Sequence, residues 1–134
     1  MQLPIKVSED SREPIYHQIE TQIKTLIISG QLPPDTPLPS IRVLSHDLAC
    51  SVITTRRAYQ DLENKGLIKT VQGKGTFVKK LEGKDKDNEK LKIAMYTFEK
   101  AIQQTQQIGC TEEEIIEIFD KVFKQHFDQK GEME

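Results

Sequence analysis

The stretch Ser40–Gly66, SIRVLSHDLACSVITTRRAYQDLENKG, carries the pattern that decides the fold. Its first part places Ile41, Leu44 and Leu48 at the three- and four-residue steps of one helical face. Ser40 stands where an N-cap belongs, because its hydroxyl can accept from an amide of the first turn. The pattern breaks at Ala49-Cys50-Ser51. It resumes with Ile53 or Thr54 in the first turn of another helix, Ala58, Tyr59 and Leu62 on one face, and Gly66 as its stop. Two helices joined by about four residues have helix-turn-helix spacing.

Upstream, Ile15, Ile19, Ile23 and Ile27 recur at i+4 beside Tyr16 and Leu26, and Gly30 follows as a stop. This predicts a helix with a continuous apolar stripe, begun at Pro14, where a missing N–H costs nothing. Between the two patterns, Pro33-Pro34-Asp35-Thr36-Pro37-Leu38-Pro39 cannot be helical and reads as a stiff connector. Downstream, Leu67–Val71 and Thr76–Lys79 flank the turn Gln72-Gly73-Lys74-Gly75, which predicts a β-hairpin. Three helices followed by a small hairpin make a winged helix.

The 134 residues suffice for one domain and an appendage. Their formal net charge of -2 argues against a nucleic-acid partner until it is divided along the chain. Residues 1–80 hold eleven Lys/Arg against eight Asp/Glu, and residues 81–134 hold eight against thirteen. All six prolines lie at or before Pro39, and 81–88 has mixed charge with one apolar residue, as a linker or a solvated start of a helix would. The expected modules are therefore 1–80 and 81–134. In the second, Leu91, Ala94, Met95, Phe98, Ile102, Thr105 and Ile108 share a helical face closed by Gly109. Thr111-Glu112-Glu113-Glu114 reads as a capping box opening a further helix, whose stripe is Ile115, Ile118 or Phe119, Val122, Phe123 and Phe127.

The fold class expected is mainly α with a small β-hairpin, a winged helix-turn-helix followed by an antiparallel two-helix hairpin. A lone pair of amphipathic helices exposes apolar surface, so it must pack on the first module or on a second copy of itself. Leu91, Met95, Phe98, Ile102, Ile115, Phe119, Val122 and Phe123 are the candidates for dimerisation.

No apolar run approaches the roughly 18 residues of a membrane span, and the N-terminus lacks a secretory pattern, so a cytoplasmic protein without membrane contact is expected. Cys50 and Cys110 are far apart, and His17, His46 and His126 share no local metal spacing, so neither a disulfide framework nor a metal site is expected. No nucleophile, base and orienting group assemble from local motifs. The expectation is a protein that is not an enzyme and carries no cofactor.

Leu38-Pro39-Ser40-Ile41-Arg42, Leu44, Leu48-Ala49, Thr54-Thr55-Arg56-Arg57-Ala58-Tyr59, Leu62-Glu63, Lys65-Gly66-Leu67-Ile68 and Gly73-Lys74-Gly75-Thr76-Phe77-Val78 together resemble the GntR family of bacterial transcription regulators. Pro14-Ile15-Tyr16 and Gln18-Ile19 are similar to the opening of that family's first helix, so the resemblance covers roughly residues 11–79. The short tail resembles the two-helix domain of the YtrA-type branch. That resemblance implies a homodimer joined through the tail helices, a repressor on a near-palindromic operator of double-stranded DNA, and neighbouring transporter genes as targets. It also leaves room for an unidentified small-molecule effector.

The residues support DNA contact on physical grounds as well. A recognition helix enters the major groove with its N-terminal residues toward base edges, while the preceding helix and the wing meet phosphates. Ser51, Thr54 and Thr55 lie in the first turn here, and Arg56 and Arg57 in the next. Hydroxyls bond phosphates or bases at short range, and a guanidinium can fork onto guanine or phosphate. Arg42 matches the family's DNA-contacting arginine, and Lys74 sits at the wing tip between Gly73 and Gly75, which let backbone amides approach phosphate. Ser40 and Gln72 complete the candidate set. Ser51 is equally a helix cap, and Arg57 can instead pair with Asp61 at i+4. Where many family members have an arginine after the serine of the recognition turn, this chain has Val52, which cannot bond a guanine but can contact a thymine methyl. A second reading makes the winged helix a protein-docking module without specific DNA binding.

Overall fold

The computed structural model describes residues 2–133, and side chains through residue 128. In chain order the elements are α1 (Ile15–Ile28), β1 (Pro37–Leu38), α2 (Ile41–Leu48), α3 (Val52–Asn64), β2 (Ile68–Val71), β3 (Gly75–Val78), α4 (Gly83–Gln107) and α5 (Glu112–Met133). The chain divides into two compact units, Met1–Glu89 and Lys90–Glu134. The divide falls inside α4, between Glu89 and Lys90. Residues 83–88, read as a linker or the start of a helix, are helical, and Lys24 of α1 pairs with Glu89 at 2.9 Å.

In the first unit α1, α2 and α3 pack around Ile19, Ile23, Leu44, Leu62, Leu67, Ile68 and Val78, all fully buried. The i+4 isoleucine stripe of α1 supplies the centre. Burying such a side chain is worth about 1.5–3 kcal/mol, so these residues outweigh any surface ion pair in holding α1 on α3. α2 stops at Ala49, which takes the left-handed conformation (φ 53°), and the Cys50 amide closes back on the Ser45 carbonyl at 3.0 Å. That closure lets three residues, 49–51, separate the two helices.

The sheet has three antiparallel strands in the order β1-β3-β2, not the two of the expected hairpin. Pro37 pairs with Phe77 and Leu38 with Thr76, so part of the proline-rich connector is a short edge strand. An edge is where a strand tolerates proline, because the missing N–H leaves no ladder bond unmade. At the wing tip Gly73 has φ 79°, a left-handed geometry that glycine adopts freely, and the Lys74 amide closes the turn on the Val71 carbonyl.

An N-terminal arm precedes α1 and has Leu3 and Ile5 buried. Two glutamines of α1 clamp it. Gln22 exchanges hydrogen bonds with the backbone of Lys6, and Gln18 with that of Ser8, while Gln18 also donates to the Glu13 carbonyl.

In the second unit the capping box forms as the sequence predicts. The Glu114 amide donates to Thr111 Oγ1 at 3.2 Å, and Glu114 Oε1 accepts from the Thr111 amide at 3.0 Å. α5 follows α4 after a turn in which the Gly109 and Cys110 amides donate to the Gln106 and Thr105 carbonyls. Side chains carry their contact: Phe98 meets Phe119 edge-on at 6.0 Å, and Phe119, Phe123 and Phe127 continue as a row of rings along α5. None of residues 90–128 is buried.

Candidate nucleic-acid interface

The α2–α3 turn is fixed by a buried polar knot. Ser45 Oγ donates to Thr55 Oγ1 at 2.8 Å and lies 2.7 Å from the Ile41 carbonyl, and Cys50 Sγ is 3.3 Å from Thr55 Oγ1. Thr55 itself is fully buried and bonds the Ser51 carbonyl. This corrects the expectation that Thr55 faces DNA: its hydroxyl joins α2 to α3 and has no path to a ligand. The signal was present in the sequence, because Thr55 lies three, four and seven residues before Ala58, Tyr59 and Leu62 and so shares their inward face.

Ser51 caps α3. Its Oγ accepts from the Thr54 amide at 3.1 Å and donates to Thr54 Oγ1 at 2.8 Å. The Ser51 proton is therefore engaged, while Thr54 keeps its own O–H to offer outward. Ser40 caps α2 in the same way, with Val43 as the amide donor. Tyr59 is buried, which pushes its phenol well above the ordinary range and keeps it a neutral donor. It donates to the Pro39 carbonyl at 2.7 Å and ties α3 to the segment that enters α2.

Arg42 and Arg56 are exposed. Arg57 is exposed too, but its guanidinium stacks 3.7 Å from the centroid of the Tyr16 ring on α1. Among the described residues no ion pair joins Arg57 to Asp61; the α1 ring, invisible to a local reading, holds the arginine instead. Gln72, Gly73, Lys74 and Gly75 are exposed at the wing tip. Glu63 is held by Thr70 Oγ1 at 2.7 Å, which draws an acidic group toward β2.

The outward face of α3 runs from Ile53 through Arg56 to Gln60, all exposed, and an open groove between α3 and the wing is lined by Arg56, Gln60, Glu63, Asn64, Thr70 and Thr76. Gln60 was missed by the sequence reading, although its i+4 spacing from Arg56 places it on that face. Among the described residues no group of three or more His, Cys, Asp or Glu gathers to hold a metal, and no helix is long and apolar enough to cross a membrane.

The dimerisation candidates form a separate feature. Leu91, Met95, Phe98, Ile102, Phe119, Val122 and Phe123 are each between 44% and 59% exposed, and Ile115 is half-buried. The tail helices thus lack a core of their own.

Residues 15–78 match the model of the family described as "Bacterial regulatory proteins, gntR family". The HTH-type transcriptional repressor NagR of Bacillus subtilis is 43% identical over 76 residues, covering 57% of this chain and 31% of that protein. The HTH-type transcriptional repressor YtrA of the same organism is 38% identical over 74 residues, covering 55% of this chain and 57% of YtrA. The chain thus spans about a third and just over half of the lengths of these two relatives. A GntR family transcriptional regulator from Listeria monocytogenes aligns over 84% of this chain and 97% of its own, with 31% identity and a TM-score of 0.68, tail included. These relatives are transcription regulators, not enzymes. Because a chain of that family is matched over nearly its whole length, and the family's own pattern runs from α1 through β3, the chain belongs to the gntR family of bacterial regulatory proteins.

Proposed function

We propose that the chain is a homodimeric, sequence-specific DNA-binding repressor of the YtrA type, acting in the cytoplasm on a near-palindromic operator of a transporter operon. Residues 1–80 form its DNA-binding module, and residues 81–134 join two protomers. The observation that carries the reading is the outer face of α3, where Ile53, Arg56 and Gln60 stand exposed on a helix whose buried side is locked to α1 and α2. Arg56 and Gln60 read bases or phosphates there, Thr54 offers its O–H to a phosphate, and Arg42 and Lys74 meet the backbone on either side. Two such helices spaced about 34–36 Å apart read half-sites one helical turn apart. The half-exposed apolar stripes of α4 and α5 supply the surface on which a second copy packs. An effector, where one acts, shifts the dimer between DNA-competent and incompetent geometries through its differential affinity for the two.

Fluorescence anisotropy with DNA from upstream of the chain's own gene tests this reading. Binding should exceed that to random DNA at matched salt. Equal binding to both sinks the specificity claim, and the absence of any salt-dependent binding favours a protein-docking module instead.

A further inference from the structure

The leading turn of α3 presents an unusual surface for a helix that would meet DNA. Ile53 is 80% exposed and so not needed by the core, and Val52 beside it is 37% exposed. The polar groups around them are largely committed elsewhere. Ser51 has its hydroxyl in the cap, Thr55 is buried in the Ser45 knot, and Arg57 lies on Tyr16. The most exposed side chain of the first turn is therefore a branched aliphatic one, Ile53, with the Arg56 guanidinium next along the face.

The apolar group that a base pair offers in the major groove is the C5 methyl of thymine. We propose that Ile53, with Val52 beside it, determines specificity by packing on thymine methyl groups, so that each half-site carries thymine opposite the start of α3. This rests on the DNA-binding reading above. Arg56 supplies the polar contact beside the methyl contact. Cytosine at the same place presents an amino donor that an aliphatic side chain leaves unpaired, which adds to the discrimination. The pair is matched in shape as well as polarity, because a β-branched side chain in a helix has one strongly preferred rotamer and presents a fixed surface.

The test uses the full chain and a duplex enriched from a random-sequence pool. Each thymine of the enriched duplex is replaced singly by deoxyuridine, which removes the methyl group and leaves base pairing intact. Burial of one methyl group predicts about a fourfold loss of affinity at one or two positions in each half-site. Ile53→Ala should erase the thymine-over-uracil preference at one of those positions while leaving the salt dependence unchanged. Because Ile53 is exposed, the variant should melt as the parent does.

Equal binding of all deoxyuridine duplexes, beside clear preference for the enriched sequence over random DNA, overturns the methyl contact and leaves the DNA-binding reading standing. An Ile53→Ala variant that weakens thymine and deoxyuridine duplexes alike also overturns it. If no sequence is enriched at all, the DNA-binding reading fails and this assignment with it.

Discussion

Replacing Thr55 with valine separates a structural hydroxyl from a DNA-contacting one. The side chain is fully buried, and valine keeps its branching, so no cavity opens; the new methyl only pushes Ser45 Oγ back from 2.8 Å to ordinary contact. Three interactions are lost: the hydrogen bond from Ser45 Oγ at 2.8 Å, the longer one to the Ser51 carbonyl at 3.3 Å, and the contact with Cys50 Sγ at 3.3 Å. No oxygen partner is orphaned. Ser45 Oγ retains the Ile41 carbonyl at 2.7 Å, and the Ser51 carbonyl still accepts from the Thr55 amide at 3.2 Å. The loss is therefore about 1–2 kcal/mol for the two bonds between oxygens, to which the weak thiol contact adds little, without the added penalty of an unsatisfied buried oxygen. For a domain of this size each kcal/mol moves the melting temperature by roughly 4–8 °C.

Thermal melts and urea titrations of Thr55→Val should therefore show a drop of about 1–2 kcal/mol. Operator affinity, measured where both proteins are folded, should stay within about twofold of the parent. Thr55→Ala serves as the calibrating variant, because it also removes a buried methyl group worth about 0.8 kcal/mol or more and should fall further. The double variant Ser45→Ala/Thr55→Val should be less destabilised than the sum of its parts, since one bond is removed twice. A Thr55→Val protein that melts like the parent but binds operator tenfold more weakly would refute the reasoning, because the hydroxyl would then face DNA.

Arg57→Ala should destabilise the first unit by about 0.5–1 kcal/mol through loss of the Tyr16 contact, with no change in the salt slope of DNA binding; a shallower slope would put the guanidinium on a phosphate. Ala49→Gly should raise the melting temperature, because the left-handed geometry penalises alanine by about 1–2 kcal/mol whereas glycine's added chain freedom costs about 0.5–1. Glu114 has its carboxyl pKa lowered first by the Thr111 amide and then by the Thr111 hydroxyl. Its contribution to α5 is thus present above the unfolded carboxyl pKa and lost as pH falls through the lower folded value, so acid titration by circular dichroism should show a helix loss that Glu114→Gln flattens. Phe123→Asp places a charge within the exposed row of rings and should turn the proposed dimer into a monomer in light scattering, while the first unit keeps its melting behaviour.

The helices were legible because each carries its period in adjacent residues: the isoleucines of α1, Ala58, Tyr59 and Leu62 in α3, and the capping box of α5. The phase of a helix was less legible. Neighbouring residues point about 100° apart, so a first turn read loosely as Ile53 or Thr54 leaves Thr54 and Thr55 looking alike, although one turns outward and the other is buried. Contacts across elements were not legible at all. Nothing local to Arg57 announces Tyr16, forty-one residues earlier, as its partner. The β1 strand was hidden for a related reason: two residues of a proline-rich connector show no alternation, and only the presence of β3 beside them makes a strand. The N-terminal arm did carry a signal, the alternation of Leu3 and Ile5, and its clamps Gln18 and Gln22 lie four residues apart on one face of α1.

The uneven charge of the chain gives the proposed dimer a measurable signature. A net charge of -2 offers little general attraction to DNA, so affinity must come from a few placed cations counted once per protomer. Arg42, Arg56 and Lys74 are exposed on the elements proposed to meet DNA, whereas Arg57 is held on Tyr16. At about 0.9 released counterions per phosphate neutralised, three contacts per protomer give a logarithmic salt slope of roughly -5 for a dimer and half that for a monomer. Phe123→Asp alters no residue of the first unit, so its effect on the slope reports joining of protomers alone. A parent slope near -5 that halves in the variant fits two DNA-binding units held by their tails. A slope unchanged by a substitution that does make the protein monomeric would show that a single unit carries the whole phosphate footprint, and the apolar stripes of α4 and α5 would then need another partner.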